Sequence, residues 1–173
     1  SLIGFISGAL LSVASAQSHQ YYFVNTSLTW TEAQSVCRRD YTDLATIEST
    51  ADVNDFLSTS SSYTGKAWIG LYDDTINSWK WSLNDSSFYG PGENSFRNWQ
   101  PGQPDDYYGQ QHCVQFNGSS DNSLGQWDDA GCMETRQFVC YNGKRVLYVY
   151  MKDHYYFLLV FLFYISSIYL QVQ

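Results

Sequence analysis

Positive charge is scarce in this chain of 173 residues, in which 9 lysine and arginine residues stand against 17 aspartate and glutamate residues, for a net charge of −8. A surface of this sign repels nucleic acid, and the sequence has no basic stripe to offset it. The sequence therefore predicts no nucleic-acid partner. An acidic balance does suit the binding of a cation.

Histidine is also rare, with 3 residues, and none of the 4 cysteines forms a CxxC pair. Structural zinc sites are built from such ligands, so the sequence argues against zinc. Charged residues make up only 15% of the chain, whereas aromatic residues make up 18%. This balance predicts a folded chain, and the length favours one domain with additional residues at its ends.

The four cysteines, at positions 37, 113, 132 and 140, form an even set that is typical of disulfides in an exported protein. They allow three pairings, among which the spacing alone does not choose. Three tripeptides have the form of N-glycosylation acceptors, and they begin at Asn25, Asn84 and Asn117. These features predict an extracellular glycoprotein that is either secreted or held at the cell surface.

The two ends of the chain differ from its middle. Residues 1–16 are small and apolar and end in Ala-Ser-Ala, which is typical of a signal peptide, here truncated because it lacks an initiating Met and a basic region. Residues 144–173 form a hydrophobic tail, in which residues 155–170 carry no charge. A membrane span needs about 20 such residues. Two interpretations stay open, namely a membrane anchor and a tail that comes from an imperfect gene model.

Residues 17–143 are predicted to form the folded domain. Thr29-Trp30-Thr31-Glu32 has the form of a capping box and predicts the start of one helix, and a second helix is predicted to begin near Ser49 or Thr50. Residues 84–110 predict a long loop, which in a small domain is usually functional. Short buried strands are predicted at residues 67–71, 113–116, 126–127 and 137–140. The fold class is therefore α+β, with its tryptophans mostly in the core.

Three short motifs, together with the spacing of the cysteines, point to a family. The motifs are Trp68-Ile69-Gly70-Leu71, Gln103-Pro104-Asp105 and Trp127-Asp128-Asp129. As a set they resemble the C-type lectin fold, the calcium-dependent carbohydrate-recognition domain, over about residues 19–141. The resemblance implies the short form of the domain, in which two helices pack on short antiparallel strands beside a long calcium-binding loop.

The resemblance also implies particular bonds and ligands. It pairs Cys37 with Cys140 and Cys113 with Cys132, and it makes the bond between Gln103 and Pro104 cis. A calcium ion, which prefers six to eight oxygen ligands, would be held in the long loop. Its predicted ligands are five side chains that offer oxygen: Gln103, Asp105, Gln111, Asp128 and Asp129. In the family, two neighbouring sugar hydroxyls complete the calcium shell, so sugar binding is predicted to require calcium.

The choice of sugar depends on Gln103-Pro104-Asp105. In the family, Glu-Pro-Asn accompanies mannose-type sugars and Gln-Pro-Asp accompanies galactose-type sugars, because exchanging acid and amide reverses the donor and acceptor sides of the site. Tyr107 stands where galactose-binding members have a stacking tryptophan. The five calcium ligands and Tyr107 are thus the predicted sugar-binding residues. The predicted ligand is terminal galactose or N-acetylgalactosamine, in preference to mannose, on cell-surface or microbial glycans, a role typical of innate immunity.

Two positions depart from the family pattern. Gln111 stands where a glutamate is usual, and Asp128 stands where the Trp-Asn-Asp motif has asparagine. One carboxylate is lost and one is gained, so the total negative charge is kept. Asp128, however, has no amide N–H to donate to a sugar oxygen. This departure leaves a second hypothesis open, in which the domain keeps the fold, has lost sugar binding and recognises a protein.

Other functions fit the residues less well. An auxiliary calcium site is conceivable at Asp73, Asn77 and Asp106. A glycosidase needs an acid in an apolar pocket facing a second carboxylate, and the sequence indicates no such pair. His112 beside Cys113 could indicate a thiol nucleophile, but only if that cysteine is not in a disulfide. The sequence predicts a binding protein and not an enzyme. An ice-binding relative of the lectins is a further alternative, and oligomerisation would strengthen a weak single site.

Overall fold

The computed structural model describes residues 11–59, 63–74, 79–84, 89, 93–119 and 122–151. The chain divides into two compact units, of which one comprises His19–Gly143 and the other is drawn from the two ends of the chain. The predicted anchor at residues 155–170 lies outside the described residues, as do residues 1–10 of the predicted signal peptide. Within the described part of the chain, no helix combines the length and the apolar character needed to cross a membrane.

Two helices form where their start signals predict them. Helix α1 spans Trp30–Asp40 and helix α2 spans Thr50–Thr59. At the start of α1, a carboxylate oxygen of Glu32 accepts hydrogen bonds from the backbone N–H of Thr29 at 3.0 Å and from the Thr29 hydroxyl at 2.7 Å. The backbone N–H of Glu32 in turn bonds to the Thr29 side chain. The two backbone N–H groups that the start of the helix leaves unpaired are thus satisfied, so the predicted capping box is confirmed.

The described strands form a seven-stranded sheet with the order β1-β7-β3-β5-β6, in which β2 pairs with β7 and β4 pairs with β3. Strands β3 and β7 run parallel, whereas β3–β5 and β5–β6 are antiparallel. The four predicted strands are confirmed, whereas β1, β2 and β4 were not predicted. The bounds are Leu11–Leu28 for β1, Asp43–Leu44 for β2, Lys66–Asp73 for β3, Trp79–Trp81 for β4, Cys113–Asn117 for β5, Trp127–Ala130 for β6 and Arg136–Met151 for β7.

The sheet has apolar side chains on both faces, because successive residues of a strand point to opposite sides. One face contributes Ile69, Phe116 and Trp127 to the larger core cluster, and the other contributes Trp68 and Ala130 to the smaller one. Of the tryptophans predicted to be core, Trp68, Trp81 and Trp127 are buried and Trp99 is partly buried. The two helices and the sheet confirm the predicted α+β fold.

Two disulfides join these elements. Cys37 of α1 bonds to Cys140 of β7, and Cys113 of β5 bonds to Cys132, which follows β6. Both pairings are those that the family resemblance implies. The second bond lies at one end of the β5–β6 pair, where the long loop returns to the sheet.

Candidate functional site

The long loop is fastened to the start of β6 by backbone hydrogen bonds. The N–H of Trp127 donates to the carbonyl oxygen of Asn98 at 2.8 Å, and the N–H of Gln100 donates to the carbonyl oxygen of Trp127 at 2.8 Å. The Trp99 ring packs edge-on against the Trp127 ring, with the ring centroids 6.0 Å apart. These contacts hold residues 98–100 beside the strand that carries Asp128 and Asp129.

Asp129 binds the segment that follows the cis Gln103–Pro104 bond. One of its carboxylate oxygens accepts the backbone N–H of Asp105 at 3.2 Å, and the other accepts the backbone N–H of Asp106 at 2.7 Å. Burial raises the pKa of the Asp129 carboxyl, although the hydrogen bonds from Asp106 and Asp105 act in the opposite direction. A carboxylate with such poor solvation is the kind of group that a nearby cation stabilises in its charged form.

The loop then closes on itself through Gln111. The side-chain oxygen of Gln111 accepts a hydrogen bond from the backbone N–H of Tyr107 at 2.8 Å. The backbone N–H of Gln111 donates to a carboxylate oxygen of Asp106 at 3.0 Å. Two non-glycine residues of this turn, Asp106 with φ 44° and Tyr108 with φ 59°, have a left-handed backbone. Such conformations cost energy and are concentrated at functional sites. The hydrogen bonds of the turn offset this cost and hold the turn in place. Sequence reasoning did not predict this role for Asp106.

Two tyrosines lie at the tip of the turn. The side chains of Tyr107 and Tyr108 are 60% and 80% exposed, their ring centroids are 4.2 Å apart and their hydroxyls are 3.3 Å apart. Of the two, only Tyr107 was predicted from the sequence. Together they present aromatic surface to solvent beside Asp105.

Two buried oxygens in this region lack a hydrogen-bond partner in the structure. They are Oε1 of Gln103 and Oδ1 of Asp128. A buried polar atom without a partner costs free energy, which is why most such atoms are satisfied by protein, water or ions. Both atoms are oxygens, as a hard cation such as calcium requires.

Asp128 points away from Asp129, although the two residues are adjacent in the chain. Both lie in β6, so their side chains project to opposite faces of the sheet. The second oxygen of Asp128 lies 2.5 Å from the ammonium nitrogen of Lys66, at the start of β3. Sequence reasoning did not single out Lys66, which is 62 positions distant from its partner.

The structure thus gathers part of the predicted ligand set. Asp105, Tyr107, Gln111 and Asp129 share one hydrogen-bonded turn, whereas Asp128 is held by Lys66. Across the described ranges, no group of three or more His, Cys, Asp or Glu side chains could hold a metal ion as arranged. The calcium ligand set remains a prediction.

The auxiliary calcium set is not brought together by any described contact. Asn77 lies outside the described residues, and Asp73 lies near the His112 ring, with a carboxylate oxygen 3.9 Å from Nδ1. Asp106 is bonded within the long loop. Cys113 forms a disulfide and has no free thiol, which excludes the alternative in which Cys113 acts as a nucleophile beside His112.

The three glycosylation acceptors differ in their surroundings. Asn25 and Asn84 are exposed, whereas Asn117 is 5% exposed within β5. The amide nitrogen of Asn117, to which a glycan would attach, donates to the Ser123 hydroxyl, and its side-chain oxygen accepts the N–H of Ser119 at 2.9 Å. The position of Asn117 therefore argues against the glycan predicted there.

We expect glycans at Asn25 and Asn84 and none at Asn117 when the domain is secreted from eukaryotic cells, because a glycan on the amide nitrogen of Asn117 would need space at a buried position where that nitrogen contacts the Ser123 hydroxyl. Peptide mass spectrometry before and after enzymatic glycan removal measures the occupancy of each position. A glycopeptide that carries Asn117 in the folded, monodisperse fraction would contradict this expectation.

The helices, the two disulfides and a long loop with buried, unsatisfied oxygens define a disulfide-bonded binding domain of the lectin type. Comparison with known proteins identifies the family directly. The model of the family described as "Lectin C-type domain" matches residues 26–142, and the chain belongs to this family.

Individual relatives agree with this assignment. The chain is 33% identical to human C-type lectin domain family 10 member A over an alignment of 134 residues, which covers 73% of this chain and 38% of the relative. It is 32% identical to rat asialoglycoprotein receptor 1 over an alignment of 127 residues, which covers 69% of this chain and 39% of the relative. The chain therefore spans less than half the length of these relatives.

A solved structure shows the same fold. The C-type lectin CEL-I from Cucumaria echinata superposes with a TM-score of 0.58 at 25% sequence identity. The match covers 71% of this chain and 89% of that chain. The predicted C-type lectin domain is confirmed by these comparisons.

Proposed function

We propose that this domain binds carbohydrate in a calcium-dependent manner and prefers terminal galactose or N-acetylgalactosamine. The observation that carries the proposal is the pair of buried oxygens without partners, on Gln103 and Asp128, together with the desolvated carboxylate of Asp129. A cation bound by all three groups would satisfy the two oxygens and stabilise the charge of Asp129, and its binding requires the Asp128 side chain to leave Lys66 and turn toward the long loop.

Calcium would be held by Gln103, Asp105, Gln111, Asp128 and Asp129. Each offers a side-chain oxygen, and the three aspartates supply the negative charge that a divalent ion requires. When bound, calcium supplies coordination positions that sugar hydroxyls fill. The chain itself positions the loop, because Asp129 holds the backbone of Asp105 and Asp106.

The preference for galactose is supported by Gln103-Pro104-Asp105 and by Tyr107. The acid and amide order of the motif is the one that accompanies galactose-type sugars in the family. The exposed ring of Tyr107 is available to stack on the apolar face of such a sugar. Among the relatives, the asialoglycoprotein receptor is named for glycoproteins that lack sialic acid, which is consistent with a glycan ligand.

The first experiment is affinity chromatography of the oxidised domain on immobilised galactose and on immobilised mannose. We expect retention on galactose, release by EDTA and little retention on mannose. The double variant Gln103→Glu/Asp105→Asn should reverse this preference, because it exchanges the acceptor and donor sides of the site. Two reversed hydrogen bonds correspond to a change of about tenfold or more in the ratio of galactose to mannose affinity.

A second function is favoured by one specific observation. Asp128 is paired with Lys66 and has no amide N–H to offer to a sugar, while Tyr107 and Tyr108 expose aromatic surface of the kind that anchors protein interfaces. A domain of this kind would recognise a protein ligand. It would flow through both sugar columns, and EDTA would not change its binding to a protein partner.

The place of action that we propose is extracellular, either secreted or at the cell surface. Two disulfides persist in oxidising compartments, which supports this placement. The anchor in residues 144–173 and assembly into oligomers remain proposals. Linking several sites would raise the avidity for glycans that a single site binds weakly.

A further inference from the structure

Lys66 reaches Asp128 across an intervening strand. Lys66 is paired in register with Asn117 of β5, and Asp128 of β6 is paired with Gln115 of the same strand. The side chains of Lys66 and Asp128 therefore project from one face of the sheet, diagonally across β5. Their charged atoms lie 2.5 Å apart.

The pair is unequal in its exposure to solvent. The Lys66 side chain is 42% exposed, whereas that of Asp128 is 11% exposed. One oxygen of Asp128 contacts the ammonium group, and the other is buried without a hydrogen-bond partner. The carboxylate thus has one oxygen that is compensated by a cation of the chain itself and one buried oxygen that has no partner.

We propose that Lys66 sets the affinity of the domain for calcium by competing for the charge of Asp128. This inference rests on the proposed calcium site. The ammonium group neutralises Asp128 when calcium is absent, so the calcium-free protein avoids a bare buried carboxylate. The same positive charge repels a divalent ion that approaches the second oxygen, and this repulsion is strong at short distance in a poorly solvated site.

Removing the charge of Lys66 should therefore have opposite effects on two measurable quantities. Lys66→Met keeps the length of the side chain and deletes its charge. We expect this variant to bind calcium about tenfold more tightly than the wild type, because the repulsion is gone. In EDTA its melting temperature should be lower than that of the wild type, because Asp128 then lacks its partner.

Two further variants separate this role from a general effect of charge. Lys66→Arg keeps the positive charge and should bind calcium like the wild type. Lys80→Met is the matched control, because the Lys80 ammonium group also lies 2.5 Å from a carboxylate, that of Asp74, at another place on the sheet. This control should change calcium affinity by less than about threefold, because its partner Asp74 is not among the proposed calcium ligands and salt screens its exposed charge.

The experiment is calcium titration by isothermal calorimetry at fixed ionic strength, together with thermal unfolding in EDTA and in calcium. Calcium affinity of Lys66→Met equal to or weaker than that of the wild type would overturn the inference and leave the proposed function intact. Calcium binding by Lys66→Met but not by the wild type would support the inference, because Lys66 would then prevent binding. The same result would refute the proposed function of the wild-type domain. Absence of calcium binding in both proteins would overturn both proposals.

A second substitution guards against a variant that does not fold. If Lys66→Met is not recovered as folded protein, Lys66→Gln removes the charge and keeps a polar end. In the background of Asp128→Asn, the same change at Lys66 should no longer raise calcium affinity, because the charge for which the two cations compete is absent. An equal gain in affinity in that background would contradict the competition and point to a general effect.

Discussion

Replacing Asp129 with asparagine is expected to lower calcium affinity by about 100-fold and to abolish EDTA-sensitive retention on galactose. The substitution removes a buried negative charge from the proposed site. It also directs an amide NH2 group at the backbone N–H of either Asp105 or Asp106, each of which now donates to a carboxylate oxygen. A donor facing a donor opens the turn, so the loss of charge and the loss of loop position act together.

The matched control for this variant is Asp55→Asn. Asp55 is exposed on α2, and its replacement makes the same change in net charge. Calcium titration and galactose retention should both be unchanged in this control. Wild-type calcium affinity in Asp129→Asn, in protein with unchanged circular dichroism, would exclude Asp129 as a ligand.

Deleting the Cys37–Cys140 disulfide is expected to produce the largest loss of stability. The two cysteines are 103 positions apart, and both are fully buried between α1 and β7. Closing a loop of about 100 residues restricts the unfolded chain by about 4.7 kcal/mol in the chain-entropy model. Because a domain is stabilised by only about 5–15 kcal/mol in total, Cys37→Ala/Cys140→Ala should be largely unfolded near body temperature.

The second disulfide provides the matched comparison. Cys113 and Cys132 are 19 positions apart, and a loop of about this length contributes about 3 kcal/mol in the same model. Urea denaturation should therefore place Cys113→Ala/Cys132→Ala between the wild type and the first double variant. If the order of the two denaturation midpoints were reversed, the entropy of the long loop would not be the main source of the stabilisation.

Local signals account for the elements that the sequence predicts correctly. The capping box at Thr29 and Glu32 and the buried run at residues 67–71 depend on neighbours within a few positions. Strands β2 and β4 have two and three residues, which is too short for a periodic pattern. Strand β1 begins within the apolar segment that resembles a signal peptide, and that resemblance conceals its strand pattern.

The family and the proposed site residues are also accessible from the sequence, because they depend on motifs. Gln103-Pro104-Asp105 and the four cysteines indicate the C-type lectin domain, and the comparisons confirm it. Motifs do not specify which way a side chain points. The motif presents Asp128 and Asp129 as one ligand pair, yet the alternation of β6 sends their side chains to opposite faces of the sheet.

By itself the sequence determined the fold class, the family and a long loop rich in side-chain oxygens, because each of these follows from composition or from short motifs. Only the tertiary structure decided which partner each of the two adjacent aspartates contacts. The pairing of β3, β5 and β6 brings Lys66 to Asp128, and the fastening of the long loop to β6 brings Asp129 to the backbone of Asp105. Both contacts join residues that are far apart along the chain, so no local pattern of residues encodes them.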